Sequence, residues 1–252
     1  MLKTLALKHA LNLCSIKRRE NILRVVMASI GIGETNLKRE VSAFVELLDT
    51  SSCSPLILDF GANSGEWSKE LFTIMPSAIL HLFEPGKSHQ KYLQGISRAT
   101  PKHFIIHQYG VSGDGRECQL YAPTPGSGAA SILEGDNLDF GFSEVIQTKT
   151  IAEILGEYPD CIGIKFDIEG AELEVLNTGY EAIKNSRVKV IEFEFGDKTV
   201  SLRQNFRMFF DIFNSMNFDI FRSTPTGLYK LTEYSRFTEL HVNTVYFASR
   251  KS

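Results

Sequence analysis

Several features are scarce in this 252-residue sequence. Its four cysteines, Cys14, Cys53, Cys118 and Cys161, stand far apart and form no C-x-x-C pair. That spacing excludes the common zinc sites and the disulfide framework of a small secreted domain, and it fits a reducing, cytoplasmic setting. No run of eighteen apolar residues occurs, so no membrane-spanning helix is expected. The six histidines form no H-E-x-x-H pair. Neither sign of charge dominates: the net charge of -3 gives no global field that would attract nucleic acid. There is no basic stripe in the central part and no N-P-P-Y motif for a flipped base, so no nucleic-acid partner is expected. No internal repeat is visible.

What is present begins with "MLKTLALKHALNLCSIKRRE". Lys8 and His9 interrupt its apolar stretch and no small-residue cleavage site follows, so it reads as an amphipathic helix rather than a signal peptide. Residues 2–24 hold six Lys or Arg and one acid, Glu20. Such a helix packs on its own domain or on a second subunit, or lies on an anionic membrane surface. A peripheral membrane contact and an oligomer are both expectations of this segment. "NLKREVSAFVELLD" places Leu37, Val41, Phe44, Val45 and Leu48 on one helical face. Residues 1–50 are therefore read as an N-terminal helical extension, and 51–252 as one domain.

After the polar break "TSSCSP" the pattern changes. Short apolar runs at Leu56–Phe60, Ile79–Phe83, 104–109, 162–167 and 188–195 alternate with amphipathic stretches, among them 66–75 and 202–216. Such alternation predicts a mostly parallel, doubly wound α/β sheet with helices on both faces. "FDIFRS", "GLYKLT" and "NTVYFAS" near the end suggest an antiparallel addition. The Gly-, Pro- and Ser-rich segment 112–145 is long for a connection in a compact domain, which suggests a functional loop or lid.

"LILDFGANSGEW" then raises the question of a ligand. In an open parallel sheet, ligands bind beyond the carboxyl ends of the strands, and the first turn is the usual place. Gly61 and Gly65 let backbone approach a ligand closely, and the helix that follows offers free N–H groups. Glu84 ends the second strand, where a carboxylate can accept hydrogen bonds from both hydroxyls of a ribose. The G-x-G-x-x-G of a dinucleotide site is absent. D-x-G-x-x-x-G followed by Glu84-Pro85 fits S-adenosylmethionine better, and the turn residues Asp59, Gly61, Ala62, Asn63 and Gly65 are the expected contacts. Gly110 and Val111 follow the third strand, where an adenine is expected.

"LDFGANSGEWSKEL", "HLFEPGKSHQKYL", "IGIKFDIEGAELEVLNTG" and "VIEFEF", in this order and at these separations, resemble the FkbM family of S-adenosylmethionine-dependent methyltransferases. The resemblance covers about residues 55–250, and "IKFDIEGAE" is its most specific part. It implies a class I methyltransferase fold and O-methylation, often of sugars in glycans or glycosylated natural products. Phe60 and Phe166 stand where family members usually have Val or Ile. The resemblance also points to a serine near the end of "PTPGSGAAS", here Ser131, as a substrate contact.

A hydroxyl acceptor benefits from a base or a bound metal that withdraws its proton. Asp167, at the carboxyl end of the fourth strand, is the first candidate; capping the next helix is the structural alternative for it and for Glu169. Lys165 shares the strand face of Asp167 and needs a partner: pairing with Asp167, or with an acid on a neighbouring strand such as Glu192, would be structural, and otherwise it touches substrate. Glu194 is the site candidate on the fifth strand. Asp167, Glu169 and Glu194 together would suit a hard divalent cation such as magnesium. Trp67 is expected to pack under the glycine turn, and His107 and His241 are the alternative bases. The expected acceptor is a sugar hydroxyl of a glycan or glycosylated metabolite; a non-sugar small molecule, a lipid or cofactor binding without catalysis are the alternatives.

Overall fold

The computed structural model describes residues 11, 14–33, 36–49, 54–133 and 140–251. Apart from Leu11, the first thirteen residues, which hold most of the apolar N-terminal stretch, lie outside these, as do Cys53 and residues 134–139 of the long insertion.

A central sheet of eight strands organises the chain. Its parallel half holds β1 (Leu56–Phe60), β2 (Ile79–Phe83), β3 (Phe104–His107), β8 (Cys161–Phe166) and β9 (Val190–Phe195); β10 (Phe218–Thr224), β11 (Gly227–Leu231) and β12 (Thr244–Arg250) complete it. The strand order is β11-β10-β12-β9-β8-β1-β2-β3. β12 runs antiparallel to both β9 and β10. The chain thus starts at β1 in the middle, winds to β3 at one edge, crosses back to β8, reaches the other edge at β11 and returns to insert β12 between β10 and β9. The reversal at β1 puts a crevice at the carboxyl ends of β1 and β8, where ligands bind in such sheets.

The β period of two divides each strand between two cores. Leu58, Phe60, Phe166, Phe193 and Phe195 face a layer that includes Phe206, Phe209 and Phe213 of the helix Phe206–Ser215. Ile57, Leu80, Leu82, Val190 and Phe247 face Val41, Phe44, Trp67, Leu71 and Leu93. Val41, Phe44 and Leu48 of the helix Leu37–Leu48, capped by Asn36, are fully buried in that second layer. That helix is part of the sheet's covering. The helix Ile16–Ser29, capped by Ser15, differs: none of its residues is buried.

The insertion after β3 contains regular structure that a loop reading missed. β5 (Cys118–Ala122) and β6 (Phe142–Ile146) pair antiparallel as a hairpin. Two short strands, β4 (Gly110–Val111) and β7 (Thr148–Lys149), pair beneath it.

Candidate active site

At the carboxyl ends of β1, β2, β8 and β9 lies a cavity of about 390 Å³. The glycine turn contributes Gly61 and Asn63, and the end of β2 contributes Glu84, Pro85 and Gly86. Gly110 and Val111 lie on one side, and Leu120, Ala122, Phe142 and Ile146 of the hairpin form an apolar wall. Asp167, Glu169 and Glu194 bring three carboxyl groups to the same space.

The turn that carries Gly61 is shaped by its neighbours. Gly61 has φ +76°, and a Cβ there would fall on the carbonyl oxygen of Asp167, so the β1 and β8 turns approach too closely for any side chain. Asn63 also has positive φ, at 48°. Its backbone N–H donates to Oε2 of Glu84 at 2.9 Å, while Gly86 N–H donates to Oε1 at 2.8 Å. Burial raises the Glu84 pKa, and these two N–H donors act in the opposite sense. The carboxylate is thus held by backbone, with lone pairs to spare for hydroxyl donors in the cavity.

The turn after β8 is built around Glu172. Its buried carboxylate accepts from Ile168 N–H at 3.0 Å and from Gly170 N–H at 2.9 Å. This clamp holds Glu169 at φ +54° and Gly170 at φ +105°. It explains why E-G-A-E follows Asp167 and is a role the sequence reading missed. Ser131 does not line the cavity; its Oγ donates to the Glu169 carbonyl at 2.8 Å, tying the hairpin to this turn. Glu169 reaches Lys198 at 3.6 Å. Burial first, then the neighbouring Asp167, raises its pKa to about 7. Burial first, then Asp167, Glu169 and Glu172, raises that of Glu194 to about 8.

Several residues expected at the site lie beneath it instead. Asp59 is fully buried: its Oδ2 accepts from Ser68 Oγ at 2.6 Å and its Oδ1 lies 3.4 Å from Lys165 Nζ. Lys165 also donates to Asp167 Oδ2 at 3.1 Å. Burial disfavours its charge, but Asp167, Asp59 and Glu192 together outweigh burial and raise its pKa. Glu192 stands opposite Lys165 in the β8–β9 register, and its Oε2 accepts a hydrogen bond from Trp67 Nε1 at 3.2 Å. Trp67 packs edge-on to Phe44. The helix Glu66–Ile74 thus covers this polar row, which excludes Asp59 and Lys165 from the cavity. Ala62 and Gly65 are buried and do not line it either; Gly65 faces Leu93, Ile96 and Leu82.

The alternative bases are also placed elsewhere. His107 meets His81 at 3.0 Å and stacks on Phe83, and burial lowers both imidazoles to about 4. His241 Nδ1 lies 3.0 Å from Thr199 Oγ1. Neither His107 nor His241 lines the cavity. Among the described residues, no group of three or more His, Cys, Asp or Glu has an arrangement able to hold a metal ion. Glu169 is taken up by Lys198 and Asp167 by Lys165, so the donor set expected for magnesium does not converge.

The cavity fits S-adenosylmethionine in size, in the backbone-held carboxylate at Glu84, in the close backbone approach at Gly61 and in the apolar wall. Among solved structures, the chain is similar to a precorrin-6y C5,15-methyltransferase from Geobacter metallireducens, at 11% identity over 84% of this chain and 87% of that one, with a TM-score of 0.44. It is similar to an O-methyltransferase from Thermotoga maritima, at 11% identity over 85% and 65%, TM-score 0.40. A third is human N-acetylserotonin methyltransferase with bound S-adenosylmethionine, at 11% identity over 86% and 52%, TM-score 0.40. No curated protein matches the chain. The family model of the methyltransferase FkbM domain matches residues 59–220, which span the glycine turn, the hairpin and the three carboxyl groups. The chain therefore belongs to the FkbM methyltransferases and is an S-adenosylmethionine-dependent methyltransferase.

Proposed function

We propose that the chain methylates a sugar hydroxyl of a glycan or a glycosylated metabolite, with Asp167 as the group that takes the acceptor's proton. The observation that carries this reading is that Asp167, Glu169 and Glu194 all line the one cavity. Several carboxyl groups around one cavity suit a polyhydroxylated acceptor, since a carboxylate accepts and a protonated carboxyl also donates. Glu194, with its pKa raised to about 8, is mostly protonated at neutral pH and donates to an acceptor oxygen. Asp167 is fixed by the Lys165 ammonium, with its second oxygen left for the reacting hydroxyl.

Bound S-adenosylmethionine supplies an already reactive methyl group, so the protein's task is mainly alignment and proton removal. In this reading Gly61 and Asn63 hold the amino-acid end of the cofactor, and Glu84 binds its ribose. Pro85, Gly110, Val111 and the hairpin wall enclose its adenine. Ser131 positions the Glu169 turn through its carbonyl and does not touch the acceptor. A methyl-transfer assay with labelled donor against a panel of glycosides, with products identified by mass, tests the acceptor class. Methylated glycosides are the expected products; transfer confined to non-sugar phenols or lipids would overturn the sugar reading.

A second reading, of an acceptor presented at a membrane, is favoured by the helix Ile16–Ser29. Ile16, Leu23, Val25 and Val26 on it are all more than half exposed, beside Lys17, Arg18, Arg19 and Arg24. Exposed apolar side chains among cations on one helix suit an anionic bilayer surface. Among the described residues no helix is long and apolar enough to cross a membrane. Flotation with anionic liposomes tests this. Binding that is lost on replacing Leu23 and Val26 by Ser supports it, and unchanged binding excludes the helix as the contact.

A further inference from the structure

A second cavity, of about 570 Å³, opens at the far edge of the sheet and shares no lining residue with the first. It lies between the end of the helix Ile16–Ser29, the β10–β11 hairpin and the segment before β12. β10 is antiparallel to β12, which is antiparallel to β9, so β10 runs with the parallel strands and its end lies on the same side of the sheet as the crevice. None of the three carboxyl groups of the first cavity lines it.

The feature that demands explanation is Arg222. Its residue is only 7% exposed, it lines this cavity, and its Nε has no hydrogen-bond partner among the described residues. Its guanidinium lies 5.7 Å from the Tyr229 ring and hydrogen-bonds the side chain of Tyr246, which stands opposite in the β10–β12 register. These contacts place the group without neutralising it. A buried cation with an unmet N–H donor and no carboxylate beside it among the described residues is costly, and a ligand anion would offset that cost. A planar fork of N–H donors matches carboxylate and phosphate oxygens in particular.

The rim narrows the class. Tyr229 and Phe237 are 56% and 79% exposed and line the cavity, giving flat apolar surfaces of the kind that pack on the faces of sugar rings. Thr226 and Ser235 add hydroxyls. Glu233, exposed on the same lining, is the one acid among these residues and opposes an anion. We propose that this cavity is a binding site for an anionic saccharide, one bearing a phosphate or a carboxylate that Arg222 receives while Tyr229 and Phe237 hold the ring.

Titration calorimetry of the full chain with glucose 1-phosphate, glucuronate, glucose and inorganic phosphate tests this without methyl transfer. Saturable binding of one or both anionic sugars is expected, with glucose and inorganic phosphate weaker. Arg222→Gln should weaken binding about tenfold or more, the order for a lost charged hydrogen bond, with Arg222→Lys between the two. Glu233→Gln should tighten binding and Phe237→Ala should weaken it. Both are exposed positions, so they remain informative if Arg222→Gln does not fold. Affinity for S-adenosylhomocysteine should be unchanged in every variant, which marks the fold and the first cavity as intact. Glucose or inorganic phosphate binding as tightly as the anionic sugars, no binding of any probe, or indifference to Arg222 and Phe237 would overturn the proposal.

Discussion

Two layers of carboxyl groups lie along the same strands, one two-residue step apart. On β8 that step leads from Lys165 to Asp167, and on β9 from Glu192 to Glu194. A step of this kind is only about 6.6 Å along a strand and keeps the same face. The lower layer, with Asp59, Lys165 and Glu192, is sealed under Ser68 and Trp67. The upper layer, with Asp167, Glu169 and Glu194, faces the cavity. Both contain Asp and Glu; depth relative to the helix Glu66–Ile74 decides the role. The lower layer pairs its charges and holds strands to helix, whereas the upper layer keeps carboxyl oxygens available. Lys165 belongs to both, through Asp59 below and Asp167 above.

The sharpest way to break the comparison is to remove the shared cation. Lys165→Met leaves Asp59 buried without its counter-charge, and the chain should lose about 3–5 kcal/mol of stability, the order for one partner of a buried ion pair. Denaturant unfolding measures this. A loss below about 1 kcal/mol, which is the level of an exposed pair, would mean that the lower layer is not a charge network at all.

Glu84 offers a smaller effect on the cofactor side. Its carboxylate joins the Asn63 and Gly86 N–H groups, so Glu84→Ala should weaken S-adenosylhomocysteine binding by about 1–3 kcal/mol. Calorimetry reads this directly, and an unchanged affinity would remove Glu84 from the cofactor site.

Stability should also depend on pH, and here the two layers act in the same sense, since burial raises the pKa of Glu192 as well. Glu169 and Glu172 have pKa values raised to about 7 and Glu194 to about 8, each mainly by burial, whereas an unfolded glutamate lies near 4.5. A folded-state value above the unfolded one stabilises in the protonated form. That contribution is complete below about 4.5 and is lost as pH rises through 7 to 8. Thermal midpoints should therefore decline from pH 5 to pH 8.5, and Glu194→Gln should flatten the decline. The pair His81 and His107 acts the other way: lowered to about 4, these imidazoles contribute stability above 6.5 that is lost as pH falls through 4. A midpoint that rises steadily from pH 5 to 8.5 would contradict the burial of the upper carboxyls.

Much of this was legible in the sequence, and the misses have physical causes. The alternation of apolar runs located β1 and β2 at their observed ends, because both strands are buried on two sides and bounded by turn residues. The glycine turn and Glu84 were legible because a close backbone approach and an acid at a strand end are local patterns. The pairing of Lys165 with Asp167 was legible, but Asp59 was misplaced because strand periodicity gives a face but not a depth, and the covering by Trp67 and Ser68 is a tertiary fact. Glu172 was missed although its signal was present: an acid two residues after Gly170 can reach back to turn N–H groups, as it does. The hairpin was hidden by glycine-rich surroundings, although "CQLYA" and "FSEVI" each alternate sides, and Leu120, Ala122, Phe142 and Ile146 form the wall. Arg222 and its cavity were not legible, since a buried arginine in a strand looks like any exposed one.

The division between the layers is tested most directly by placing Asp167→Asn beside Asp59→Asn. For each variant, methyl transfer, S-adenosylhomocysteine affinity and the thermal midpoint are measured together. Asp167→Asn keeps the shape and removes the charge, so turnover should fall about 10²–10⁴-fold, the range for lost general-base help, with affinity and midpoint near those of the unaltered chain. Asp59→Asn should instead lower the midpoint first. If Asp167→Asn lowers the midpoint and leaves turnover nearly intact, the upper layer is structural as well, and Asp167 is not the group that takes the proton.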